Sequence, residues 1–307
     1  MPKQHSAQFW EDLVDAIQGL YGKHAGVRAV HAKGIYVKGH FTPAPAATRL
    51  SRAAHFAQAT PVTGRFSNGS GLPAARDHDP DARGLALKLH LRDGSVTDLV
   101  AITIPAFFVR TPEDFVEFTR ARHPDPATGK PDPARVGAFV AKHPETARVL
   151  GMLGAQAPVA SYHQPAYNGI HTFWLENAEK VRTAVRYRLD PVARAWKPEG
   201  GEPGPDGYQH DLRARLAAGP VEFDLHYVVA EPGDALDDPT VAWPRERASI
   251  VAGRFTLERA EDTRPGPADT MIFDPCNVTD GIACSEDEIL HARSAAYGVS
   301  YTRRMAK

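Results

Sequence analysis

The sequence predicts an α+β protein organised around a mainly antiparallel sheet or barrel. Period-two alternation recurs in four stretches: Leu85, Leu87, Leu89 and Leu91; Val181, Thr183, Val185 and Tyr187; Phe223, Leu225, Tyr227 and Val229; Val251, Gly253, Phe255 and Leu257. Each is the pattern of a strand with one buried face, and the long turns between them suit antiparallel pairing or barrel closure. Separate segments carry 3.6-residue periodicity, so helices accompany the sheet.

The first element is a helix over residues 7–21, where Phe9, Leu13, Ala16, Ile17 and Leu20 share a face and Ser6 is available as N-cap. A strand over 28–41 follows, rich in Val, Ile, Tyr and Phe, with His31 in the same parity as the inward candidates Ile35, Val37 and Phe41. Residues 97–109 form a nearly continuous apolar run ending at Thr111-Pro112-Glu113-Asp114. There Thr suits the N-cap, Pro the first turn and the acids the helix dipole, so a helix carrying Phe115 and Phe118 begins. Helical structure is expected between 133 and 153, split by Pro144 and weakened by Gly137. Residues 190–220, crowded with Pro, Gly and charge, read as an exposed excursion between strands. Ser285 and Glu288 have capping-box spacing, which predicts a last helix from there through Tyr301.

With 307 residues, 42% of them hydrophobic, the chain can bury a sizeable core. A net charge of -1 and a pI near 6.9 supply no field for nucleic acid or anionic lipid, so neither is an expected partner. The N-terminus carries acidic residues where a signal core would be apolar, and no long apolar run occurs, so a cytoplasmic location is expected and a membrane span is not. Cys276 and Cys284 lack zinc-site spacing and read as reduced thiols. His78, His123, His143, His163 and His210 lie near Pro, Asp or Gly and read as solvated.

Five segments carry the functional signal. Arg293 and Tyr297 lie four residues apart, on one helical face, with Arg304 seven residues further on; a guanidinium beside a phenol favours the phenolate. The others are Arg28-Ala-Val-His-Ala-Lys-Gly34, Arg65-Phe-Ser67, Pro105-Ala-Phe-Phe-Val-Arg110 and Phe273-Asp-Pro-Cys-Asn-Val-Thr-Asp-Gly-Ile282. In this order and approximate spacing they resemble the haem catalases, and the chain is similar to the small catalase-related peroxidases from about residue 20 to residue 305.

The resemblance implies an antiparallel β-barrel with surrounding helices and a single haem-binding domain over 1–307. It implies haem b, with Tyr297 as phenolate ligand of the iron and Arg293 stabilising that charge; catalase is the standing example of tyrosinate-ligated haem. His31 matches the distal histidine that moves the peroxide proton, and Ser67 the serine that hydrogen-bonds it. Arg28, Arg65 and Arg304 match partners of the haem propionates. Val30, Phe107 and Phe115 match apolar residues lining the pocket, and His171 a histidine on the proximal side. Ile102 stands where the family has a distal Asn. The peroxide-orienting amide is therefore missing, which implies weak catalase activity beside reduction of hydrogen peroxide or organic hydroperoxides by a small organic electron donor. The chain ends ten residues after Tyr297, so the C-terminal helical domain of larger catalases is not expected; nor is bound NADPH, and for a homo-oligomer a dimer is expected before an interwoven tetramer. Two alternatives are a hydroperoxide isomerase or dehydratase of the allene-oxide-synthase type, and a haem binder without turnover. Retention of both His31 and Ser67 speaks against the second.

Overall fold

In the computed structural model, residues 3–157, 159–193, 204–261 and 270–306 are described. Helix α1 (Ala7–Tyr21) starts where expected, with Ser6 Oγ accepting from the Phe9 amide, and buries Leu13, Val14, Ala16 and Ile17. Strand β1 (Gly34–Pro43) leads through a short helix α2 (Ala47–Leu50) to β2 (Thr60–Asn68), β3 (Arg83–His90) and β4 (Val96–Ile102). Three helices follow: α3 (Pro112–Ala121), capped by Thr111, then α4 (Pro133–Lys142) and α5 (Pro144–Gly154), separated at Pro144 as its missing amide dictates. After β5 (Tyr167–Asn168), β6 (Phe173–Glu176) and β7 (Arg182–Pro191) come α6 (Gly207–Ala218), β8 (Val221–Val229), β9 (Ser249–Glu261), β10 (Ile282–Cys284) and α7 (Glu288–Met305).

All described strand pairings are antiparallel. In the order β7-β5-β4-β3-β2-β1-β9-β8 the strands close on themselves through a β7–β8 pairing, while β6 and β10 extend from β7 outside the closed ring. The alternating stretches supply the filling: Ile35, Val37, Phe41, Phe66, Leu85, Leu87, Leu89, Phe223, Leu225, Phe255 and Leu257 are wholly buried in one cluster. Each such side chain contributes about 1.5–3 kcal/mol by leaving water. The parity of β9 breaks at Val251, which is exposed while Ala252 is buried, because a bulge opposite Leu225/His226 inserts an extra residue.

Four expectations need correction. The first strand begins at Gly34, so His31 precedes the sheet and has no strand parity; its φ is 52°, and its amide donates to the Gly69 carbonyl at 3.3 Å. The N-cap of α7 is Asp287, not Ser285: the Asp287 carboxylate accepts from the amides of Ile289 and Leu290, and Ser285 Oγ accepts from the Asp287 amide. Within 190–220, residues 194–203 lie outside the described residues, but Gly207–Ala218 is helical. Tyr208, Leu212 and Leu216 recur at i, i+4 and i+8 there and join the barrel cluster, a burial strong enough to outweigh the flanking Pro and Gly. His123 and His163 are structural rather than solvated, Nε2 of the first bonded to the Ala16 carbonyl at 2.7 Å and Nδ1 of the second to Ser161 Oγ at 2.6 Å.

Cys276 and Cys284 are free and half-buried. Among the described residues no helix is long and apolar enough to cross a membrane.

Candidate active site

Two side-chain groups face the same region from different elements. The first is His31 with Ser67. The turn before β1 carries the imidazole over the end of β2, where Ser67 Oγ lies 3.0 Å from Nδ1. Burial first, then the positive charges of Arg65, Arg293 and Arg28, push the imidazole down to about 4, so the ring is neutral at pH 7. Directly opposite residues of neighbouring strands share a face, and Ser67 pairs with Gly84, which pairs with Ile102. Ile102 thus lies on the face of Ser67, two strands away, or about 9–10 Å. It packs with Ile104, Ala106, Val149 and Phe108, an apolar wall.

The second group is a relay built on α7. Arg293 Nε donates to Tyr297 Oη at 2.9 Å, the contact that their four-residue spacing predicts. A second nitrogen of the same guanidinium lies 3.0 Å from His171 Nε2, and His171 Nδ1 lies 2.6 Å from Asp287 Oδ2. A neutral His171 protonated on Nδ1 satisfies both: it donates to the carboxylate and accepts from Arg293. Burial lowers the His171 imidazole against the opposing pull of Asp287, which agrees with that neutral form. Burial alone would lower Arg293, but the attraction of Tyr297 and their hydrogen bond outweigh it and hold the guanidinium above its usual range. Asp287 therefore both caps the helix and orients the relay. Sequence reasoning placed it only within a capping box; its contact with His171, 116 residues away, leaves no sequence signal.

The three other arginines converge around Tyr36 and the Met271 carbonyl. Arg28 donates to Tyr36 Oη at 2.8 Å and to Met271 O at 2.6 Å; Arg304 reaches the same carbonyl at 3.4 Å. Arg65 lies over the Tyr36 ring, 5.7 Å from its centroid, and donates to the Ala32 carbonyl at 3.1 Å. Phe107 and Phe115 stack at 6.1 Å with planes 8° apart, and Val30 and Phe115 pack in the cluster that holds Ala296, the neighbour of Tyr297. The structure thus links the His31–Ser67 pair to the relay, because the charge of Arg293 acts on His31 while its guanidinium holds Tyr297.

This donor set fits a haem. Several guanidiniums in one region suit two propionates, stacked aromatic and aliphatic side chains suit the faces of a flat ring, and an arginine-held phenol suits a single axial bond. Among the described residues no group of three or more His, Cys, Asp and Glu could hold a bare metal ion.

Comparison with known proteins gives a concordant picture. The family model named Catalase matches residues 12–307. A catalase-related peroxidase of Mycolicibacterium paratuberculosis is 37% identical over 301 residues, covering 96% of this chain and 94% of that one. One of Synechococcus elongatus is 34% identical over 298 residues, covering 96% and 88%. The structure of a bacterial catalase superposes with a TM-score of 0.79 at 24% identity, and that of a fungal catalase with 0.81 at 21%. Each covers 92% of this chain, which spans only 58% and 60% of theirs.

Proposed function

The chain belongs to the catalase family, and on that premise we propose how its own residues carry out the reaction. It is an oxidoreductase acting on peroxide, a catalase-like peroxidase of a haem-dependent family. In our reading the cofactor is haem b, held through Tyr297, with Arg28, Arg65 and Arg304 at its propionates and Val30, Phe107 and Phe115 against its faces. Bound there, haem would supply the redox chemistry of its iron.

His31 moves the proton. With Nδ1–H donating to Ser67 Oγ, the Nε2 lone pair is free to take the proton from one peroxide oxygen and return it to the other, which leaves as water or an alcohol. An imidazole held down to about 4 rests unprotonated at neutral pH, and once protonated it gives the proton up readily. On the other side, Arg293 stabilises a phenolate at Tyr297, while His171 and Asp287 fix the orientation of the guanidinium. The apolar side chain of Ile102 leaves hydrogen peroxide without an orienting amide and tolerates an alkyl group, which favours a peroxidase that takes organic hydroperoxides and is returned to rest by a small organic donor. The two free thiols suit a reducing cytoplasm.

One observation carries this reading: a serine-anchored neutral imidazole and an arginine-held phenol lie within the electrostatic reach of one guanidinium. The test is the absorption spectrum of the haem-loaded protein followed by stopped-flow mixing with peroxide. His31→Ala should leave haem bound and slow the first reaction with peroxide by roughly 100-fold or more. An unchanged rate would show that another group moves the proton.

A further inference from the structure

Gly84 occupies an unusual place in β3. It pairs with Ser67 on one side and Ile102 on the other, so it stands between the histidine–serine pair and the apolar wall. Its φ lies outside the left-handed region, so the backbone does not call for glycine, and glycine in a strand interior forfeits both packing and entropy. What it leaves is room. A Cβ at this position would stand 2.8 Å from Ser67 Oγ and 3.2 Å from both Cε1 and Nδ1 of His31.

We propose that Gly84 is a positioning residue: the missing side chain forms the seat in which the His31 imidazole and the Ser67 hydroxyl meet. His31 has little freedom to retreat, because its backbone is held in a left-handed conformation and its amide donates to the Gly69 carbonyl at 3.3 Å. A methyl group at position 84 must therefore turn Ser67 Oγ away or tilt the ring, and either movement breaks the 3.0 Å contact. The imidazole then loses its hydroxyl partner and keeps only the Asn68 backbone, so Nε2 is held less firmly as the proton acceptor. The geometric claim stands by itself; its catalytic consequence rests on the role assigned above to His31.

The experiment uses the full chain with 15N-labelled histidine, both unloaded and loaded with diamagnetic gallium(III) protoporphyrin IX. Long-range 1H–15N spectra at neutral pH report which ring nitrogen of His31 carries the proton. Wild type should show one tautomer, Gly84→Ala a mixture, and Ser67→Ala the same mixture. The double variant should add nothing further. Gly64→Ala is the control for barrel strain, since its Cβ would press on Val37 Cγ2 at 2.8 Å in a neighbouring part of the barrel. It should leave the His31 signals in place. With haem, Gly84→Ala should slow the reaction with peroxide by the same factor as Ser67→Ala, roughly 10-fold or more. An unaltered His31 spectrum in a folded Gly84→Ala protein, or an equal change in Gly64→Ala, overturns the proposal. If Gly84→Ala does not fold, wild type decides: a missing nuclear Overhauser contact between a Gly84 α-proton and His31 Hε1 overturns it. If the spectrum shifts as expected while His31→Ala keeps the wild-type peroxide rate, the seat is real and the acid–base role is wrong.

Discussion

Arg293→Leu is the most informative perturbation, because one guanidinium serves both Tyr297 and His171. At the observed 2.9 Å, a guanidinium–phenolate pair attracts by about 6 kcal/mol at an effective dielectric of about 20. Most of that is offset by desolvation, and a hydrogen bond to a charged group keeps a net worth of about 1.5–3 kcal/mol. The variant should therefore bind haem roughly 10- to 150-fold more weakly. His171 Nε2 would also be left without its donor in a site only 1% exposed, which costs about 1–3 kcal/mol and should lower the Tm of the unloaded protein. Arg293→Lys keeps the charge but cannot reach both partners as a planar fork, so it should fall between wild type and Leu. Haem titration followed by absorbance gives the affinities, and thermal melting of the unloaded chain gives the stability. Wild-type affinity and spectrum in a folded Arg293→Leu protein would refute the relay.

Tyr297→Phe removes the proposed ligand while keeping the ring, so most haem should be lost on gel filtration; full occupancy with an unchanged spectrum would assign the iron elsewhere. Ile102→Asn, on the face of Ser67, should raise oxygen evolution from hydrogen peroxide relative to oxidation of an organic donor at equal haem occupancy. A ratio that stays flat in a stable variant removes Ile102 as the determinant. His55 is 1% exposed with neither ring nitrogen bonded, and burial pushes it from 6.5 to about 4. The unfolded chain takes up its proton below about 6.5 and the folded chain does not, so stability is full above that pH and falls as pH drops toward 4, by up to about 3 kcal/mol. His55→Phe should flatten that part of the stability profile in denaturant melts from pH 7 to pH 4; an unchanged slope would mean that the loss comes from other groups such as His31.

Local signals in the sequence locate most elements but not the site's connections. Ser6, Thr111 and Pro144 act within a few residues of themselves, and the helices they delimit begin and divide where those side chains require. The alternating leucines of β3 do the same for the barrel interior. His31 misleads by parity because its left-handed backbone is decided by a bond to Gly69, a tertiary contact without local signature. Helix α6 is obscured by its low apolar content, with Leu212 and Leu216 spaced among charged residues. At the site, Arg293 and Tyr297 are legible because four residues make one helical turn, whereas the bond from His171 to Asp287 spans 116 residues. Gly84 is invisible for a different reason: its importance lies in an atom it does not have.

The origin of the Arg293–Tyr297 relay in α7 has a consequence for synthesis. Ser67 and Tyr297 are 230 residues apart in the chain. At roughly 5–20 residues per second, a ribosome needs about 12–46 s to pass from one to the other. Throughout that interval the nascent chain holds both His31 and Ser67 but not yet the phenol we propose as ligand. Arg303 of α7 can grip Glu11 and Asp15 of α1 only after about 290 further residues have been made. On the proposed assignment, stable cofactor binding waits for α7 to dock on α1, so a product stalled before α7 would carry His31 and Ser67 without the phenol that is to hold the iron.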